Sequence, residues 1–319
     1  MREYAAYLSL IENRLKECAS PKDPDSLYLP IRYTLEGGGK RLRPILLLAA
    51  CDAAGAPAEN AINQAAAIEM FHNFTLLHDD VMDRADMRRG RATVHVRFDE
   101  RRAILSGDTM LTLATSLLAD GCPSALLPDA LALFNATAIQ IYEGQQYDLD
   151  FESRDDVTVD EYLMMIRLKT SVLLGAACAL GALMAGATRD IIKAFYRYGE
   201  RLGLAFQLQD DLLDTYGDPI VFGKEIGGDI LNDKKTWLRI TAMAEDTSGV
   251  IDAETTAPSP DKIERVKAVY DRLDLAARCR SLIDRYTDEA IEALASTPIS
   301  RSARDFFSEL ALSARTRNH

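Results

Sequence analysis

Cysteine is scarce in this chain of 319 residues. Five occur, at Cys18, Cys51, Cys122, Cys178 and Cys279, an odd number with no CxxC pair. That spacing excludes a disulfide framework and a zinc knuckle, and it fits a reduced, cytoplasmic setting. Positive charge is also in deficit: 37 Lys and Arg stand against 49 Asp and Glu, a net charge of −12. The cations are scattered rather than gathered on one long stretch, which argues against a nucleic-acid partner. The N-terminal MREYAAYLSLIENR lacks an uninterrupted apolar segment and carries acids early, so no signal or transit sequence is expected. One charge-free stretch, Thr170 to Thr188, touches the length of a membrane span. It is rich in Ala and Gly, lacks aromatic flanks and follows a polar segment, so it is expected to be a buried helix and not a stable span. Alternating Val/Ile/Thr runs are nearly absent, and no short-period repeat or low-complexity tract occurs. Sheet-based and solenoid architectures are thereby excluded.

What is present is a soluble globular composition, 48% apolar and 27% charged. Apolar residues recur at helical spacing nearly throughout, which predicts an all-α fold. The spacing places helices at about 2–19, 25–36, 41–54, 59–84, 98–119, 126–149, 158–186, 188–216, 231–246, 260–273, 275–297 and 302–314. Breaks fall at Glu36-Gly37-Gly38-Gly39, Met87-Arg88-Arg89-Gly90, Gly217-Asp218-Pro219 and Gly227-Gly228. The polar run from Asp246 to Pro260 reads as a plain surface connection. Motifs in both halves have to meet, which favours one domain over residues 1–319.

One two-fold echo stands out. LLHDDVMD at 76–83 and LQDDLLD at 208–214 each place D-D-x-x-D at the end of a long apolar helix. On a helix Asp79 and Asp83 share a face, as do Asp210 and Asp214, with Asp80 and Asp211 beside them. Clustered like charges are costly unless a cation bridges them, and oxygen-only ligands select Mg²⁺, which keeps waters and substrate phosphates in its shell. Two such clusters suit a diphosphate whose charge must be neutralised before it is transferred or expelled. Cations accompany them: Lys40, Arg41 and Arg43 follow the triple glycine, and Arg88 and Arg89 follow the first cluster. The Gly37-Gly38-Gly39-Lys40 run lacks P-loop spacing and follows no strand, so it is not a nucleotide loop.

Taken together, GGGKRLRP, LLHDDVMD followed by MRRG and TVH, GQQYDLD, IRLKT, FQLQDDLLD and GKEIGGD with NDKKT resemble the polyprenyl synthetase family, the trans-isoprenyl diphosphate synthases. The resemblance implies a bundle of about ten to twelve helices around a deep central cavity, usually a homodimer. It implies head-to-tail condensation of isopentenyl diphosphate with an allylic diphosphate (dimethylallyl, geranyl or farnesyl) to an all-trans product. By the same resemblance a trio of magnesium ions is held by Asp79, Asp83 and Asp210, with Asp80, Asp211 and Asp214 supporting. Lys40, Arg43, His72 and Arg89 match the residues that hold isopentenyl diphosphate. Arg88, Lys169, Thr170, Gln207, Lys224 and Lys234 match those on the allylic side, and Lys169 also counts with the catalytic group. Arg315 and Arg317 could close over the isopentenyl site, although a basic tail is more often solvated.

The motif spacer of two residues departs from typical bacterial farnesyl synthases. Phe74 stands five residues before Asp79, about 7.5 Å along the axis, and Phe71 eight before, about 12 Å. Either ring could floor the cavity. Thr75 is small where farnesyl synthases of the animal type carry an aromatic, so the pattern resembles a synthase of the C20 product geranylgeranyl diphosphate, with C15 or longer products as alternatives. Three rivals are weaker. A di-iron bundle needs two Glu-x-x-His motifs, and only Glu69–His72 supplies one. A terpene cyclase would not need the second set of cations. An inactive partner subunit would be expected to have lost motif aspartates.

Overall fold

The computed structural model describes residues 1–217 and 226–315. Its helices are α1 (Tyr4–Cys18), α2 (Asp25–Leu35), α3 (Leu42–Ala53), α4 (Ile62–Met82), α5 (Val94–Arg97), α6 (Glu100–Ala119), α7 (Leu127–Glu152), α8 (Val159–Ile166), α9 (Val172–Met184), α10 (Arg189–Tyr216), α11 (Gly228–Leu231), α12 (Trp237–Glu245), α13 (Val250–Thr256), α14 (Lys262–Arg272), α15 (Leu275–Ala293) and α16 (Arg301–Arg315). The only strands among the described residues are Met87–Arg88 and Arg91–Ala92, an antiparallel pair.

The chain forms two compact units. One comprises Met1–Asn135, Ala176–Tyr196 and Pro298–Ser300. Here the Ile45–Cys51 run of α3 is apolar on every side and completely buried. Helix α4 presents small Ala65, Ala66 and Ala67 together with Phe71 and Phe74. It packs closely on α6, where a Cβ at Gly107 would lie 2.2 Å from His78 Nε2, so that ring would have to move. Asp99 starts α6 by accepting from the Arg102 N–H.

The second unit comprises Ala136–Gly175, Arg197–Thr297 and Arg301–His319. Its core joins Tyr162 and Met165 of α8, Leu208 and Leu212 of α10, Leu238 of α12 and Ile283 of α15. Thr158 and Glu161 form a capping box that sets the start of α8.

Three expectations from local pattern need correction. The helix expected over 158–186 is interrupted by a π turn at Arg167–Ser171, a widening that apolar periodicity does not register. The expected helix 231–246 is two elements, α11 and α12. The run 246–260 is not a plain connection: α13 starts at Gly249 (φ 71°) and buries Ile251 and Glu254, the acids having masked the apolar pair Val250–Ile251 that packs on the core. The Val159–Met184 run alone among the described residues is long and apolar enough to cross a membrane, and 72% of its most apolar window is buried inside the protein.

Candidate active site

The first acidic cluster closes α4. The Asp83 N–H donates to the Asp79 carbonyl at 2.9 Å, carrying the helical turn through the motif, so Asp79 and Asp83 share a face. Asp79 is half-buried and Asp83 exposed, whereas Asp80 is buried. Burial pushes the Asp80 carboxyl up, opposed by the Arg88 guanidinium. Arg88 Nε donates to Asp80 Oδ1 at 2.7 Å, and Arg88 Nη2 lies 3.7 Å from Asp79 Oδ2. The short hairpin supplies this geometry: Met87 pairs with Ala92 and Arg88 with Arg91. Arg89 (φ 51°) and Gly90 (φ 71°) form its two-residue turn, both in the left-handed region that such a tight turn demands.

The turn carries Arg89 onto the glycine loop, where its guanidinium donates to the Gly38 carbonyl. A Cβ at Gly39 would stand 3.1 Å from Arg89 Cζ. Arg41 is buried, giving one N–H each to Glu12 and Glu69 at 2.8 Å and one to the Leu35 carbonyl at 2.6 Å. It braces the loop between Lys40, which is exposed, and Arg43. Glu69 also accepts from Asn73, so the lone Glu-x-x-His pattern is a structural acceptor here. Beneath the hairpin a cleft of about 420 Å³, open to solvent, is lined by Tyr33, Gly37, Asp80, Arg88, Arg89 and Thr93 among others.

Arg43 Nη1 donates to His72 Nε2 at 3.2 Å. Burial, then Arg43 and Arg89, hold the His72 ring well below its ordinary pKa, so it is neutral near pH 7. A ring held neutral in the fold contributes stability that is present above the unfolded pKa of about 6.5 and lost as pH falls below it. From pH 7.5 to 5.5 the native protein is expected to lose about 1 kcal/mol more stability in urea melts than His72→Gln does. Equal losses would show that the fold does not hold this ring neutral.

The second unit carries the other cluster at the end of α10. Asp210 and Asp214 are half-buried and Asp211 is buried. Burial, then the Asp229 charge, raise the Asp211 carboxyl to about 7. Asp214 Oδ2 accepts from the Asp229 N–H at 2.9 Å, fastening the turn that begins α11. Lys234 Nζ lies 3.7 Å from Asp229 Oδ1. Thr170 Oγ1 donates to Gln207 Oε1 at 3.1 Å, and Gln207 Nε2 donates to Asp211 Oδ1 at 2.9 Å. Lys169 sits on the π turn with Nζ 2.5 Å from Asp148 Oδ2. The close approach of α7 there requires Gly144, because a Cβ would lie 2.3 Å from the Lys169 N.

The first unit thus gathers Arg43, His72, Arg88, Arg89 and the first three aspartates, and the second gathers Lys169, Thr170, Gln207, Lys234 and the other three. Lys224 and Arg317 lie outside the described residues. Arg315 Nε lies 2.5 Å from Asp284 Oδ1 on α15. Phe71 and Phe74 are both in the core, their ring centroids 5.5 Å apart, and Phe74 meets His78 at 4.8 Å. The half-buried Thr75 donates to the His72 carbonyl at 2.8 Å. The sequence pattern counts Arg41 among the cations that accompany the acidic clusters, but it is buried and given to Glu12, Glu69 and the Leu35 carbonyl, so it supports the loop instead. Sequence reasoning assigned no role to Asp148, Tyr162 or Asp229. Asp148 lies within GQQYDLD, but only its partner Lys169, 21 residues on, gives it meaning.

The donor set at both clusters is carboxylate oxygen alone. Among the described residues no three His, Cys, Asp or Glu side chains converge into a ready protein-only cage. Mg²⁺ does not ask for one, since it is bound through one or two carboxylates with waters and substrate phosphates completing its octahedron. The residues therefore fit a hard divalent ion delivered with a diphosphate.

An all-helical protein with two D-D-x-x-D clusters, each served by guanidinium or ammonium groups, is an enzyme of diphosphate chemistry. The family described as polyprenyl synthetase matches residues 24–273. A geranylgeranyl pyrophosphate synthase of Geoglobus acetivorans is 38% identical over 95% of this chain and 94% of its own. A geranylfarnesyl diphosphate synthase of Aeropyrum pernix is 40% identical over 83% of this chain and 87% of its own. A crystal structure of a geranylgeranyl pyrophosphate synthase superposes with a TM-score of 0.91 at 40% identity, covering 100% of both chains. The chain belongs to the polyprenyl synthetase family and is a trans-prenyltransferase with the all-α fold of these synthases. The family requires a divalent metal.

Proposed function

We propose that this enzyme condenses isopentenyl diphosphate with an allylic diphosphate to an all-trans prenyl diphosphate, with C20 geranylgeranyl diphosphate as the main product. The observation that carries the reading is the pair of D-D-x-x-D clusters, each with its own cations. The C20 assignment is supported by the geranylgeranyl synthases among the relatives and by the small Thr75. In this reading residues 1–319 act as one synthase domain, and the enzyme works as a homodimer in the cytoplasm.

Asp79, Asp83 and Asp210 are the proposed ligands of Mg²⁺, a trio of ions that would neutralise the allylic diphosphate as it leaves. Lys169, Thr170, Gln207, Lys224, Lys234 and Arg88 hold that leaving group. Lys40, Arg43, His72 and Arg89 hold isopentenyl diphosphate without metal, the neutral His72 serving as a hydrogen-bonding group rather than a charge. Apolar side chains exclude water from the electron-poor allylic carbon until the second substrate's double bond reaches it. The proton lost in the last step passes to the departing diphosphate.

The test is an assay with Mg²⁺, isopentenyl diphosphate and each allylic primer, reading product length by chromatography. A C20 main product is expected. Arg89→Ala should raise KM for isopentenyl diphosphate about tenfold more than KM for the primer, and Lys169→Ala the reverse, because each removes a charge-assisted hydrogen bond. Release of cyclised hydrocarbon without isopentenyl diphosphate would favour a cyclase instead, and both variants shifting one substrate alone would refute the division of the cations.

A further inference from the structure

The second acidic cluster is held from behind by a residue outside every motif. Tyr162, on α8, is 1% exposed, and its hydroxyl donates to Asp211 Oδ2. Gln207 Nε2 donates to the other oxygen of the same carboxylate at 2.9 Å, and Thr170 in turn donates to Gln207. Asp211 is therefore clasped at both oxygens inside the protein. Its side chain is turned away from the face that Asp210 and Asp214 share one helical turn apart. The clasp also fixes which end of the Gln207 amide is which: its NH₂ is committed to Asp211, so its Oε1 must face Thr170.

We propose that Tyr162 is a positioning residue for the diphosphate site, acting through Asp211 to hold Gln207 and Thr170. This rests on the reading of the second cluster as the allylic diphosphate and metal site. A buried carboxylate that loses one of two donors keeps its desolvation penalty and loses its compensation. It is then free to swing toward its neighbours, taking the Gln207 amide with it. Through Asp211, Tyr162 stands behind Gln207 and Thr170, proposed diphosphate contacts, as an outer partner stands behind a metal ligand, where removal typically costs about 10- to 100-fold in affinity or activity.

The experiment compares native protein, Tyr162→Phe, Asp211→Asn and the double variant. Calorimetric binding of Mg²⁺ with inorganic pyrophosphate is read alongside KM for each substrate and thermal melts. Tyr162→Phe is expected to weaken Mg²⁺–pyrophosphate binding about tenfold and to raise KM for the allylic primer. KM for isopentenyl diphosphate should stay unchanged, a split that mere loss of packing would not produce. The double variant should bind no more weakly than Asp211→Asn alone, because the phenol acts only through that carboxylate. Unchanged binding in Tyr162→Phe, or effects that add in the double variant, would overturn the proposal while leaving the site reading intact. Failure of the native protein to bind Mg²⁺–pyrophosphate would overturn both.

Discussion

Asp79→Ala and Asp210→Ala are each expected to lower turnover roughly 10²- to 10⁴-fold at saturating Mg²⁺. The magnitude follows from several kcal/mol of charge stabilisation lost with a metal ligand, at about 1.4 kcal/mol per decade of rate. Both side chains are half-buried and sit in clusters of like charge, so their removal takes away repulsion as well as contacts. The melting temperature without metal should stay where it is or rise slightly. Asp80→Ala and Asp211→Ala behave differently. Asp211→Ala strands the buried Tyr162 hydroxyl together with Gln207, at an expected cost of about 1–3 kcal/mol. Asp80→Ala costs less, because the partly exposed Arg88 keeps Asp79 Oδ2 3.7 Å from its Nη2. Steady-state kinetics and calorimetric melts on the four variants separate ligands from supports. Turnover near the native rate in Asp79→Ala or Asp210→Ala would remove the proposed metal roles.

Phe74→Ala is expected to lengthen the main product and to destabilise the enzyme by about 3–5 kcal/mol. The ring is 6% exposed and packs against Phe71 and His78, so its loss leaves a void on the helix that ends in the first acidic cluster. A growing tail must run down that helix away from the aspartates. At about 100° per residue Phe74 lies about 140° from the face of Asp79, Thr75 within about 40° and Phe71 within about 80°. Helix geometry alone therefore leaves the floor between the two rings, and the family pattern at positions 74 and 75 favours Phe74. Phe71→Ala removes a ring that is 1% exposed and 5.2 Å from Phe134, with a comparable stability cost and a smaller change in product. Product chromatography below the melting temperature of each variant, with denaturant melts beside it, is the measurement. An unchanged product from Phe74→Ala with a longer one from Phe71→Ala would place the floor a turn deeper and favour products beyond C20.

Much of the site could be read from the chain because its signals are short in range. D-D-x-x-D is a statement about one helical turn, and the apolar stripes before Asp79 and Asp210 are statements about 3.6-residue periodicity. The triple glycine, the cations that follow it and the acidic pairs are composition at adjacent positions. From these came the helices, the oxygen-only donor set, the diphosphate chemistry and the family resemblance.

What tertiary structure decided was the division of labour within those clusters. Asp79 and Asp80 are neighbours of one chemical type, yet Asp80 turns inward to Arg88 across a hairpin whose two-residue turn depends on the positive φ of Arg89 and Gly90. Asp211 meets a phenol 49 residues away and Arg41 meets Glu69 28 residues away. The π turn that holds Lys169 depends on a glycine of another helix. Periodicity and motif spacing describe a residue's relation to its own helix. Which buried charge is clasped, and by what, depends on the desolvation and partners that appear only when distant helices pack together.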